Sequence, residues 1–145
     1  MSEHHPTSPR WSDISEGDEL PPFDLPLTAS VIVAGAIASR DFMPVHHDRS
    51  FAQAQGAPDI FMNILTTNGY VARFITDWAG PEAMLEKISI RLGAPACPDD
   101  TMRFTGTVTS TARRDDLGVV EVALQGVNKF GAHVTGTAVL TLPAD

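Results

Sequence analysis

Residues 59–78, DIFMNILTTNGYVARFITDW, decide the fold. Pro58 stands before this stretch and Gly80-Pro81 after it, and Asp59 can serve at a helix N-terminus, so the segment reads as one helix. Ile60, Phe61, Ile64, Leu65, Val71, Phe74, Ile75 and Trp78 spread widely around its circumference, and a helix apolar over most of its surface is buried. Its polar insert, Thr66-Thr67-Asn68-Gly69, therefore calls for a reason.

C-terminal to this helix the period changes from helical to alternating. Lys87–Pro95 reads as a strand. In Thr101–Thr111, Met102, Phe104, Gly106 and Val108 fall on one face and Arg103, Thr105, Thr107 and Thr109 on the other. Val119–Asn128 and His133–Leu142 alternate likewise, and Lys129-Phe130-Gly131 joins them as a hairpin. One long buried helix followed by four antiparallel strands predicts an α+β fold, a sheet wrapped on a helix. N-terminal to the helix, TASVIVAGAIAS (28–39) is small and apolar; period alone does not decide it, and a strand early with a helical turn later is expected. Gly56 can stop a short helix over FAQAQ, residues 51–55. Residues 11–27 hold three prolines and read as an extended segment docked on the body through Trp11, Ile14, Leu20, Phe23 and Leu25. Residues 1–13 are expected to be a disordered polar tail, and 14–145 a single domain.

At 145 residues the chain has room for one core. A single cysteine, Cys97, excludes an internal disulfide and points to the reducing cytoplasm. No apolar run is long enough to span a membrane, and no secretory signal is seen. The net charge of −8 argues against nucleic acid and anionic membranes as partners. Residues 1–24 carry six acids against one base and the remainder twelve against nine, so the body itself is only mildly acidic.

Chemistry concentrates in Ser39-Arg40-Asp41-Phe42-Met43-Pro44-Val45-His46-His47-Asp48. A carboxylate and an imidazole lie five residues apart in a loop braced by Pro44. Such a pair can hold a water and move its proton, and the same residues in a polar loop can also be merely solvated or capping. His46-His47-Asp48 suggests a metal only if further ligands converge. His133 and Cys97 are the sole candidates elsewhere in the body, so none is expected. Nucleophile elbows, P-loops and dinucleotide fingerprints are absent from the sequence.

Asp41–Asp48, followed by Ala52, resembles the hydratase motif of the MaoC-like (R)-specific enoyl-CoA hydratases, roughly S-G-D-x-N-P-x-H-x-D-x-x-x-A. Ser39, Asp41, Pro44, His46, Asp48 and Ala52 match, while Arg40 replaces the glycine and Met43 the asparagine. SRDFMPVHHDR, the 59–83 segment and IRLGAP are similar to the small MaoC-like subunit of actinobacterial steroid side-chain enoyl-CoA hydratases, which share these departures. The resemblance covers about residues 14–142 and implies a single hot-dog domain. It implies hydration of an enoyl-CoA thioester, with coenzyme A as part of the substrate and no cofactor. Asp41 and His46 are then catalytic. The backbone N–H of Asn63, where the family places glycine, faces the enolate oxygen. Thr66, Thr67 and Gly69 are substrate-binding candidates, although Thr66 and Thr67 can equally pack against a partner helix. The implied partner is a larger MaoC-like subunit in a heterodimer or heterotetramer, otherwise a second copy. A thioesterase and a non-catalytic subunit completing a partner's tunnel are the alternatives. Retention of both Asp41 and His46 argues against the second.

Overall fold

In the computed structural model, which describes residues 7–144, the alternating pattern of 101–111 is the inner face of a five-stranded antiparallel sheet. The elements in chain order are β1 (Phe23–Leu27), α1 (Ala29–Ala38), α2 (Arg49–Ala54), α3 (Ile64–Ala79), β2 (Met84–Leu92), β3 (Asp100–Arg114), β4 (Leu117–Asn128) and β5 (Gly131–Pro143), with 3-10 turns at Trp11–Asp13 and Pro44–His46. Strand order is β1-β3-β4-β5-β2. Met102, Phe104 and Val108 of β3, Val120, Val122 and Leu124 of β4, and Val134, Ala138, Leu140 and Leu142 of β5 are buried against α3. The helix contributes Thr67, Val71, Phe74, Ile75 and Ala79, one stripe at helical spacing. Gly106 lets the Phe74 ring seat directly on the sheet, since a Cβ there would lie 3.1 Å from it. This is the expected α+β architecture, a hot-dog.

Four expectations are corrected. The helix begins at Ile64, not Asp59, because Phe61 N–H bonds to Val45 O and Met62 N–H to Ala96 O, which hold 60–63 extended. Asn63 is the N-cap instead, and Asp59 pairs with Arg49. Ile64 and Leu65 consequently lie exposed, so the helix is buried on one face rather than most of its circumference. Residues 29–38 are helical throughout: the Thr28 hydroxyl accepts the Val31 N–H, and Ile32 and Ala36, four apart, bury one side. A fifth strand, β1, pairs with β3 in register Phe23↔Phe104 to Leu27↔Asp100.

The tail reading of 1–13 is corrected for its described part. Trp11 packs against the core beside Gly118, and the Ser8 hydroxyl accepts the Glu82 N–H at 2.9 Å. Residues 1–6 lie outside the described residues. The following segment runs beside β3, with Leu20 N–H bonded to Gly106 O, as the extended docking segment was expected to do. The 129–131 link is a hairpin, pairing Asn128 with Gly131. No helix among the described residues is long and apolar enough to cross a membrane.

Candidate active site

The C-terminus of α1 and the N-terminus of α3 meet at one point, and the candidate residues lie there. Asp41 is placed by the way α1 ends. Its N–H bonds to Ala36 O and the Arg40 N–H to Ile37 O, with Arg40 at φ +58°. This is a Schellman ending, normally closed by glycine. His46 is placed by the turn that Pro44 starts. Its Nδ1 lies 2.6 Å from Phe61 O, and its ring meets the Phe61 ring edge-on at 5.1 Å. A carbonyl only accepts, so Nδ1 carries a hydrogen, and in the neutral form of the ring the bare nitrogen is Nε2.

That Nε2 faces Asp41 Oδ2 at 3.3 Å. Two acceptors at this distance need a proton between them or a donor shared by both. Either the imidazole is protonated or a water gives one hydrogen to each group. Asp41 is held below the usual carboxylate range, first by the Asn63 side-chain hydrogen bond, then by the Met43 N–H and the nearby imidazole, against partial desolvation. It is ionised at neutral pH.

Asp41, His46, Phe61, Asn63, Ile64 and His133 are among the residues lining a cavity of about 420 Å³. Among the described residues, Asn63 and Ile64 have no partner for their backbone N–H groups, both in the first turn of α3. Such N–H groups and the helix dipole favour negative charge.

The substrate-binding candidates separate. Thr66 and Gly69 line a second, more open groove of about 360 Å³ between α1 and α3, with Gly35, Leu65, Tyr70 and Arg73. Thr67 does not join them: it is fully buried, its hydroxyl 2.9 Å from His133 Nε2 and 3.3 Å from Asn63 O. Its candidacy is corrected; it is an internal link between α3 and β5. His47 is exposed, and Asp48 caps α2 by accepting the Phe51 N–H.

Two residues of the site were not assigned from the sequence. His133 was weighed only as a metal ligand. Here it is 2 % exposed, bonded through Nδ1 to Ala94 O at 2.6 Å, and burial pushes its pKa down, so it is neutral. Ser39 appeared only as a motif match. Its hydroxyl donates to Gly35 O at 2.7 Å and accepts from Asn63 Nδ2 at 2.8 Å. Only the fold brings 39, 63 and 133 together, and neither period nor local motif could have done so.

A hot-dog with an Asp–His pair beneath the N-terminus of its central helix defines a class, and comparison with known proteins agrees. The chain belongs to the MaoC-like domain family, whose model matches residues 17–129. It is 46% identical over 126 residues, 87% of this chain and 95% of the relative, to the 3-oxo-4,17-pregnadiene-20-carboxyl-CoA hydratase beta subunit of Mycobacterium tuberculosis. Its structure is similar to the crystal structure of the ChsH1-ChsH2 complex from the same organism, with TM-score 0.81, 47% identity and coverage of 88% of this chain and 98% of that one. The (R)-hydratase of A. caviae involved in PHA biosynthesis matches at TM-score 0.79 and 21% identity, over 90% of this chain and 98% of that one, and shares the fold.

Proposed function

We propose that this chain is the Asp–His-bearing subunit of a heteromeric enoyl-CoA hydratase that adds water across the 2,3 double bond of a steroid side-chain CoA thioester. The observation that carries the reading is the Asp41–His46 pair at 3.3 Å, opening on the cavity at the start of α3. The substrate class and the larger MaoC-like partner rest on the 46% identical hydratase beta subunit.

The thioester carbonyl polarises the double bond, so C3 accepts an oxygen nucleophile. Asp41 accepts one hydrogen of the water and orients it. His46 Nε2 takes the other proton as the C3–O bond forms, and returns a proton to C2. One hydroxyl and one hydrogen are added, and both residues end as they began. Charge develops on the thioester oxygen, where the free N–H groups of Asn63 and Ile64 stabilise it. The groove beside Thr66 and Gly69 takes the bulky acyl end: nothing lies within 4 Å of where a Gly69 Cβ would project. No cofactor enters these steps.

Hydration is followed as loss of enoyl-thioester absorbance, with the chain alone and with the larger subunit, on a short and on a steroid enoyl-CoA. Asp41→Asn and His46→Ala each lower kcat by about 10²–10⁴-fold, the range of general acid–base catalysis. Turnover within tenfold of the parent in both variants refutes the mechanism.

A further inference from the structure

Asn63 is a helix N-cap whose identity its capping role does not explain. Its Oδ1 accepts the Thr66 N–H at 3.1 Å, as the side chains of Ser, Thr or Asp would. Its other half does what those residues cannot. Nδ2 donates one hydrogen to Asp41 Oδ2 at 3.0 Å and the other to Ser39 Oγ at 2.8 Å.

The amide cannot be turned round. A flipped Asn63 would aim its oxygen at the Asp41 carboxylate and its NH₂ at the Thr66 N–H, two repulsive contacts in place of two hydrogen bonds. Ser39 enforces the same sense. Its own hydrogen goes to Gly35 O at 2.7 Å, which leaves a lone pair toward Nδ2. At 2 % exposure, no solvent competes for the carboxamide. The chain Gly35 O, Ser39, Asn63, Asp41 therefore has one donor order from end to end.

We infer that the Asn63 carboxamide is a positioning residue for hydration, fixing the Asp41 carboxylate toward Nε2 of His46 and tying it to the ends of α1 and α3. This rests on the reading of Asp41 and His46 as the water-activating pair. The same contact is the largest of the influences that hold Asp41 ionised. Asp41 thereby stays an ionised acceptor, held toward Nε2 of His46.

The test uses two variants that keep the cap acceptor and remove the amide donor, measured in the chain assembled with its larger subunit. Asn63→Asp preserves shape and sets a second carboxylate beside Asp41; Asn63→Ser removes the amide without adding charge. In Asn63→Asp the acid limb of kcat/KM moves up by about one pH unit or more, and kcat falls at least tenfold. KM for the acyl-CoA changes less than threefold. Asn63→Ser moves the limb the same way but less. The Asp41 carboxyl ¹³C shift, followed with pH, reports the same displacement without turnover, and a purely structural cap would leave it unmoved. An unchanged acid limb and an unchanged Asp41 titration in Asn63→Ser overturn the inference, whether or not Asn63→Asp folds. Asp41→Asn separates the two readings. If it is inactive while the Asn63 variants behave as the parent, only this inference falls. If it is fully active, the hydratase mechanism falls first.

Discussion

Gly35 and Thr66 hold α1 against α3, and replacing the glycine tests whether that approach sets the site. A Cβ on Gly35 would lie 2.3 Å from Thr66 Oγ1, 2.7 Å from its Cγ2 and 3.0 Å from its Cβ. Both branches of the threonine face the glycine, and a β-branched side chain on a helix has few rotamers to escape into. Ordinary contact begins at 3.4 Å, so in Gly35→Ala the helices must part by about 1 Å. Overpacking of this size costs about 1–3 kcal/mol. For a 145-residue domain, about 2 kcal/mol lowers Tm by roughly 6 °C. The same movement stretches the Ser39–Asn63 bond from 2.8 Å toward about 3.8 Å, beyond hydrogen-bond range.

Thermal unfolding of Gly35→Ala, Thr66→Ala and the double variant checks this. Thr66→Ala removes the two nearest atoms, including a buried hydroxyl with no partner, so by itself it is close to neutral. In its background Gly35→Ala regains at least about 1 kcal/mol, a coupling expected only of groups in contact. Additive effects within about 0.3 kcal/mol would refute the argument, since the helices would then not be spaced by this pair.

Further outcomes follow from the backbone and from burial. Arg40 sits at φ +58° in a position that favours glycine, so Arg40→Gly raises stability by about 0.5–1 kcal/mol in denaturant titration; a lower midpoint would contradict the strain. His133 has its pKa pushed down by burial, so between that value and the ordinary one near 6.5 the unfolded chain binds a proton that the folded chain does not. Stability is complete above about pH 6.5 and declines as pH falls below it, and His133→Gln flattens that slope in urea titrations. An equal slope in both proteins would place the proton elsewhere.

What the sequence shows and what it hides divide along a physical line. The β3 alternation was legible because one face is buried and the other wet, and the register shift comes only after Val108. The Asp41–His46 pair was legible because five residues and a proline make it local. The start of α3 was not legible: Asp59 and Asn63 are both acceptable caps, and long-range bonds to Val45 and Ala96 choose between them. The residues of α1 were ambiguous because alanine and glycine carry little periodic signal. Its Thr28 cap was the available clue. His133 reaches the site through pairing of β5 with β2, a relation that no window of sequence contains.

The corrected helix start is also what gives the site its form. With a helix from Asp59, the carbonyls of residues 60–63 would be taken by the N–H groups four residues on, and Phe61 O would be lost to His46. Extended, the segment bonds outward through both sides of Phe61: its N–H fixes Val45, and its carbonyl fixes the tautomer of His46. Two residues further on, Asn63 caps α3 and holds Asp41. The two members of the pair are thus oriented by neighbouring residues of one short strand-like segment. Both contacts act on a pair whose facing atoms lie 3.3 Å apart. The order of the chain carries the same economy: the loop after α1 supplies the reacting side chains, and the entry to α3 supplies the groups that aim them and the N–H groups that receive the developing charge.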